Sequence, residues 1–362
     1  MRAFVRLRSD LQAAAVVDHP DPRPGPNDVL IKVSHCGLCG SDLRIHYTDT
    51  TSFVPPLVQG HEYAGVVVEV GADADAGLVG SKAAVVSIQE CGRCEQCRAG
   101  HTNVCRHRGI PGWSYDGGLA EYSVVPADGI VVVPEEMPLT LAALVEPTAV
   151  GAHAAAMADH LPPAKAVVSG PGPIGILTAL ALRHRGWSVT IVGVEHDRAR
   201  RLPTAESMGL DTAVVRPDGS LAGEVLGGEA PQLWVEASGS PLGLELGLAE
   251  VEPEGFVTVV GIPHGPETYD LRIGMRKGAT VRFSYAYHRE DYVRAIEVLG
   301  SGVVNEDRLL DVYLLEDAVT AFDDAKHGRI MKPMIRIENQ PGETVSDAVR
   351  AQDRRRFRSP AR

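Results

Sequence analysis

No apolar run in this chain is long enough to span a membrane; the most apolar stretch, 139–157, is interrupted by Glu146 and His153. There is no excess of positive charge. Thirty-five Lys and Arg stand against 47 Asp and Glu, a formal charge of −12. That balance argues against nucleic acid or an anionic membrane surface as a partner, and says nothing about a substrate. No internal repeat is present, and the first ten residues alternate charges without an apolar core, so no secretory leader is expected there. Cysteine is scarce outside one segment: of six in the chain, four fall between residues 91 and 105. A disulfide framework is therefore not expected, and the cytoplasm is the expected location.

What is present is ordinary in bulk and specific in detail. Hydrophobic residues make up 44% and charged residues 23%, as in soluble globular chains, and 362 residues suffice for two domains with separate cores. Cys91, Cys94, Cys97 and Cys105 form a Cys-x-x-Cys-x-x-Cys-x7-Cys run. Four thiolates so spaced converge on one tetrahedral Zn²⁺, and Gly92 and Gly100 suit a tight loop wrapped around it. A site closed by four sulfurs has no open position for substrate, so it is read as structural.

Residues 1 to about 135 read as short β-branched strands between Gly, Pro and Asp, for example 28–33, 63–70, 83–88 and 129–134. Such a pattern predicts a compact, barrel-like β domain. An Ala-rich helix is predicted over 139–157. Beyond it strands and helices alternate, as in a parallel sheet of βαβ units. Predicted strands are 166–169, 188–192, 233–237, 256–260, 280–284 and 334–337. Helices are predicted at 174–185, 197–208 (kinked or shortened by Pro203) and 291–299. Residues 339–362, with Arg354, Arg355, Arg356 and Arg358, read as a flexible tail.

Gly170-Pro171-Gly172-Pro173-Ile174-Gly175 fits Gly-x-Gly-x-x-Gly, directly after a predicted strand and at the start of a predicted helix. In that setting Gly170 permits the turn, Gly172 the approach of a pyrophosphate, and Gly175 close helix packing. NAD or NADP is the expected ligand. The second strand ends in Gly193 where an NAD site usually has an acid, followed by Glu195, His196 and Arg198. Gly193 leaves room for a 2′-phosphate that His196 or Arg198 would contact, whereas Glu195 reaching the ribose would favour NAD.

Cys39-Gly-Ser-Asp42 and Gly60-His61-Glu62 lie outside the four-cysteine run. Cys39, His61 and Glu62 supply the mixed sulfur, nitrogen and oxygen set of an open zinc site. Glu146 adds a carboxylate, although on spacing alone it serves equally well as a helix-start residue favoured by the dipole. Tyr47, Phe53, Trp113 and Tyr115 flank these motifs, as cleft lining or as core.

Taken in order, Cys36 to Asp42, Gly60 to Gly65, the four-cysteine lobe, Gly117 to Tyr122, Glu146-Pro147 and Gly170 to Gly175 resemble the zinc-dependent medium-chain alcohol dehydrogenases. The similarity is strongest to the branch with sorbitol, polyol, sugar and threonine dehydrogenases. It implies an α/β protein: a GroES-like β-barrel catalytic domain (1–150, with a structural zinc lobe at about 89–107), an inserted Rossmann doubly wound parallel-sheet domain (151–285), and a return to the catalytic domain (286–338). It further implies two zinc ions per subunit, the catalytic one on Cys39, His61 and Glu62 or Glu146, with Ser41 passing the substrate proton onward. Ser238, Val260 and Ile262 correspond to loops near the nicotinamide, and Lys332 to a basic contact near the cofactor phosphates. Many relatives have a histidine where this chain has Arg44; His46 follows two positions on and is a candidate for the relay. The implied activity is hydride transfer between a secondary alcohol and NAD(P), giving the ketone, with a threonine-type dehydrogenase as the alternative. A non-catalytic or quinone-reductase-like relative would lack the cysteine lobe and the Cys/His/Glu set. A homodimer or homotetramer is implied by the resemblance alone.

Overall fold

The computed structural model describes residues 1–9, 13–48, 53–216, 228–263 and 265–337. The expected tail at 339–362 lies outside them. Contacts divide the chain into two compact units, 1–89 with 109–144 and 310 onward, and 90–108 with 145–309. These boundaries differ from those drawn on sequence at 150 and 285. The cysteine lobe groups with the second unit because Asn103 Nδ2 donates to the Tyr285 carbonyl at 2.9 Å and Thr102 Oγ1 lies 3.2 Å from His288 Nδ1.

The first unit is built on antiparallel pairing, apart from the parallel pair Leu310–Leu314 and Lys332–Arg336. Its seven-stranded sheet runs Leu310–Leu314, Lys332–Arg336, Asp28–Gly37, Glu62–Val70, Lys82–Val85 and Ile130–Val132, with Tyr122–Pro126 also paired to Asp28–Gly37. A three-stranded sheet of Ala14–Asp18, Arg2–Arg6 and Leu57–Val58 completes it. Strand alternation puts Val29, Ile31 and Val33 in a core shared with Phe4, Val67, Leu119 and Phe322. Gly65 is required where Asp28–Gly37 and Glu62–Val70 cross, since a Cβ there would lie 2.1 Å from the Lys32 carbonyl oxygen. The return segment is held by antiparallel pairing of Met334 with Gly37 and Ile335 with Cys36.

The second unit contains a six-stranded all-parallel sheet in the order Asp211–Val214, Ser188–Gly193, Lys165–Ser169, Leu233–Glu236, Phe256–Val259, Thr280–Phe283. In chain order this is 3-2-1-4-5-6, the doubly wound arrangement that binds dinucleotides at the carboxyl ends of its strands. Burial on both faces explains runs such as Ala166-Val167-Val168. Trp234, fully buried, donates through Nε1 to Ser169 Oγ at 3.2 Å.

Two helices differ from expectation. The stretch predicted at 139–157 is Leu139–Ala142 followed by Val145–Ala156. Pro147 sits in the first turn of the second helix, where its missing N–H costs nothing, but a helix running through it would clash with the carbonyl four residues back. The helix predicted at 197–208 is a 3₁₀ turn, Glu195–Ala199, and a short helix, Arg201–Glu206, again with Pro203 in the first turn. Among the described residues no helix is long and apolar enough to cross a membrane.

Candidate active site

In the lobe, the four Sγ atoms of Cys91, Cys94, Cys97 and Cys105 lie within 4.8 Å of one another, and none forms a disulfide. Cys94 caps the short helix Glu95–Arg98, while Gly92 and Gly100 take positive φ angles of 65° and 82° that fold the loop back. The Cys91 and His107 amides donate to Cys105 Sγ at 3.4 and 3.3 Å. Without metal, amide bonds from Cys97 and Arg106 pull Cys94 down to about 6, while desolvation and the Cys94 sulfur push Cys97 up to about 12. Cys97 stays neutral while the cluster lacks a central positive charge, and a dication fits that need.

The second cluster lies wholly in the first unit. Cys39 precedes the helix Gly40–Tyr47, and its amide donates to Asp42 Oδ2 at 2.9 Å. Gly60, at φ 94°, turns the chain into His61; a Cβ there would strike Cys36 Sγ at 2.6 Å. Glu62 begins the strand Glu62–Val70. One ligand atom each from Cys39, His61 and Glu62 falls within 4.8 Å of the others. The fully buried Asp42 faces His61 Nδ1 at 3.3 Å, and Ser41 Oγ lies 3.4 Å from Nε2. Burial disfavours the charged imidazole, yet Asp42 outweighs it and holds His61 well above its ordinary range in the metal-free chain. An Asp on Nδ1 fixes the tautomer that leaves the Nε2 lone pair for a metal. The donor set therefore fits zinc. Asp42→Asn is expected to lower zinc affinity or turnover about 10–100-fold, checked by chelator competition and initial rates.

Glu62 is also paired with Lys332 Nζ, which donates as well to the Leu38 carbonyl at 2.9 Å. The sequence reading placed Lys332 near the cofactor phosphates; the partners it has here are Glu62 and the Leu38 carbonyl. The side chain is buried, and its ammonium compensates a carboxylate removed from water. Glu146 belongs to the second unit, where the Tyr287 hydroxyl donates to its Oε1 at 2.9 Å.

His46 is a core residue, not part of a relay. It is 2% exposed and stacks on Phe4 and Phe322 at 5.9 and 4.4 Å. Burial, aided by Arg6, lowers it to about 4. The unfolded chain then binds more protons between pH 6.5 and 4, so stability falls as pH falls through that window. Wild type is expected to lose about 2 kcal/mol at this residue between pH 7 and pH 5. A His46→Phe variant keeps the stack and should flatten that slope in denaturant titrations.

The glycine-rich loop lies in the second unit. Gly170 has φ 98°, and a Cβ on it would meet Ser238 at 2.7 Å; on Gly175 it would meet the Gly170 carbonyl at 1.9 Å. At Gly172 a Cβ would meet nothing within 4 Å, so that glycine faces open space rather than protein. Pro173 starts the helix Pro173–His184, with Ile174 following in its first turn. These are the features a pyrophosphate cradle requires. Gly193 ends its strand, and Arg198 Nε donates to Glu195 Oε2 at 2.9 Å. Both side chains line a groove of about 580 Å³ with Thr212, Val215 and Arg216. Ser238 and Val260 are brought together by Glu236, which no sequence signal singled out. Its carboxylate accepts the Ser238 and Gly239 amides at 2.7 and 3.0 Å, and its carbonyl accepts those of Val260 and Gly261 at 2.8 and 2.9 Å. Ile262 is 75% exposed.

Residues 25–135 match the alcohol dehydrogenase GroES-like domain and residues 173–301 the zinc-binding dehydrogenase domain. L-threonine 3-dehydrogenase of Edwardsiella ictaluri is 31% identical over 342 residues, covering 92% of this chain and 99% of that protein. The chain belongs to the zinc-dependent medium-chain alcohol dehydrogenases. Two solved structures show the same fold as this dehydrogenase. Galactitol-1-phosphate dehydrogenase of Escherichia coli superposes with a TM-score of 0.84 at 25% identity, over 93% of this chain and 100% of that one. A candidate zinc-binding dehydrogenase of Sinorhizobium meliloti, bound to NADP, gives 0.83 at 26%, over 93% and 99%. The dehydrogenase thus carries the GroES-like and parallel-sheet domains expected from its motifs.

Proposed function

We propose that this dehydrogenase transfers hydride between NAD(P) and a secondary alcohol of a polyol, sugar or amino-acid-derived substrate, giving the ketone. The observation that carries the reading is the convergence of Cys39, His61 and Glu62 within 4.8 Å, with Ser41 against His61. Cys39, His61 and Glu62 would hold the catalytic zinc, the lobe a structural one, and the loop from Gly170 to Gly175 the cofactor. When bound, zinc supplies a Lewis acid for the substrate oxygen and the nicotinamide a hydride acceptor or donor. Asp42 keeps the His61 ring in its ligating tautomer, and Lys332 balances the Glu62 charge. Ser41 Oγ accepts the proton leaving the substrate hydroxyl and hands it to solvent, an ordinary acid–base relay. Glu146, bonded to Tyr287, remains the alternative carboxylate for the metal.

NADP is the favoured cofactor. Gly193 supplies no carboxylate to the ribose, and Arg198 and Arg216 line the same groove, with Glu195 engaged by Arg198. Arg198→Ala is expected to raise the KM for NADP about tenfold or more and leave that for NAD within about twofold. Initial rates with both cofactors check it. The strand Thr280–Phe283 lies at the sheet edge with Phe283 73% exposed, which supports a homo-oligomer formed through that edge. Six free cysteines support a cytoplasmic location.

A cofactor-reduction screen over sorbitol, xylitol, glucose, inositols and L-threonine tests the function. Turnover confined to threonine would make the enzyme threonine-type. No turnover of any alcohol by zinc-loaded protein would leave the non-catalytic alternative.

A further inference from the structure

We infer that Arg44, whose guanidinium lies over the Trp113 ring, recognises an anionic group on the substrate, so that the alcohol oxidised carries a carboxylate or a phosphate. The inference deepens the proposed function and rests on it for where the alcohol binds.

Arg44 lies three residues after Ser41 on the helix Gly40–Tyr47, hence on the same face one turn along. Ser41 Oγ touches His61 Nε2, so this face is the one turned to the metal-capable cluster. The Arg44 guanidinium sits 5.5 Å from the Trp113 ring centroid. That ring is fixed in turn, since it packs on Ile45, Phe53 and Leu57. The turn carrying it is tethered to the same cluster, because Gly112 is pressed against Gly60, where a Cβ would lie 2.6 Å from the Gly60 nitrogen. The helix that carries Arg44 and the turn that carries Trp113 each touch the Gly60-His61 turn, through Ser41 and through Gly112.

Among the described residues, the Arg44 side chain has no carboxylate or carbonyl on its N–H groups; only its backbone carbonyl is engaged, by Thr48. It is exposed, and its guanidinium lies over the Trp113 ring as a cation–π contact. A preorganised planar fork with free donors suits bidentate carboxylate or phosphate oxygens. A guanidinium cannot release its proton near neutral pH, so residue 44 cannot serve the relay that a histidine there would serve.

The test compares wild type, Arg44→Gln and Arg44→Lys on sorbitol 6-phosphate, an aldonate and L-threonine against neutral sorbitol and xylitol. Wild type should favour one anionic class at least tenfold in kcat/KM, and which class wins identifies the group. Arg44→Gln should lose roughly 10–100-fold on that class, mainly through KM, and stay within about twofold on neutral alcohols, with Lys recovering part of the loss. Equal losses on neutral and anionic substrates, or a change in cofactor KM instead, would overturn the assignment. A second readout needs no turnover. Trp113 is half-buried while Trp187 and Trp234 are buried, so tryptophan fluorescence titrated with inorganic phosphate and with acetate reports on this pair. A saturable change lost in Arg44→Gln and in Trp113→Phe is expected; its absence with both anions sinks the inference even if alcohols are oxidised. If the anion binds but no alcohol reacts, the dehydrogenase reading fails and Arg44 stands.

Discussion

Replacing Cys39 by alanine should lower turnover by at least about 10³-fold, since the metal's stabilisation of a developing alkoxide is worth several kcal/mol. The fold should survive. The role of Cys39 in starting its helix is carried by its backbone amide on Asp42 Oδ2, which alanine keeps. Its thiol is only half-buried, and the adjoining core is filled by Cys36 and Leu38 instead. Initial rates with saturating cofactor, together with the thermal midpoint, separate the two effects. A variant that loses activity and melts many degrees lower would show Cys39 to be structural. A variant retaining a tenth or more of wild-type rate would remove the sulfur from the metal site.

Cys94→Ser should behave in the opposite sense. Within 90–108 only Cys105 is buried, and Val104 is 42% exposed, so the lobe has almost no hydrophobic core of its own. Cys94 Sγ lies 3.4 Å from Cys97 Sγ and 3.8 Å from Cys105 Sγ, at the centre of the sulfur cluster. Metal binding and folding are one event in such loops, with apparent zinc free energies of about 10–16 kcal/mol in small peptides. A loss of several kcal/mol is therefore expected, seen as trypsin cleavage at Arg93, Arg98 or Arg106 under conditions where wild type resists. Protein that remains folded should keep its metal at Cys39 and retain measurable turnover. Wild-type protease resistance in Cys94→Ser would contradict a structural role for the lobe.

The parts of this site that were legible in sequence are those whose partners lie close along the chain. The lobe, Cys39 to Asp42 and Gly170 to Gly175 each carry their geometry within a few residues, so spacing and glycine placement suffice. Asp42 was visible only as part of the Cys39-Gly-Ser-Asp42 motif; its reach back to the cap amide was not, because no helix was expected at 40–47. Nor was its second contact, to His61. The pairing of Lys332 with Glu62 was not legible, because the two are 270 residues apart and strand pairing in the return segment brings them together. His46 was a relay candidate because it follows Arg44 by two positions, and such spacing does not reveal which side chains the Phe4 and Phe322 rings will cover. The helix break before Val145 was readable in principle from Pro147, whose ring excludes a continuous helix through 139–157.

Anomalous diffraction at the zinc absorption edge, from crystals of the zinc-loaded enzyme, addresses the reactive centre most directly. The predicted result is two peaks per chain, one enclosed by the four lobe sulfurs and one about 2.0–2.3 Å from Cys39 Sγ and His61 Nε2 with a carboxylate oxygen in reach. A single peak in the lobe, with Cys39 and His61 holding nothing at full zinc loading, would contradict the account.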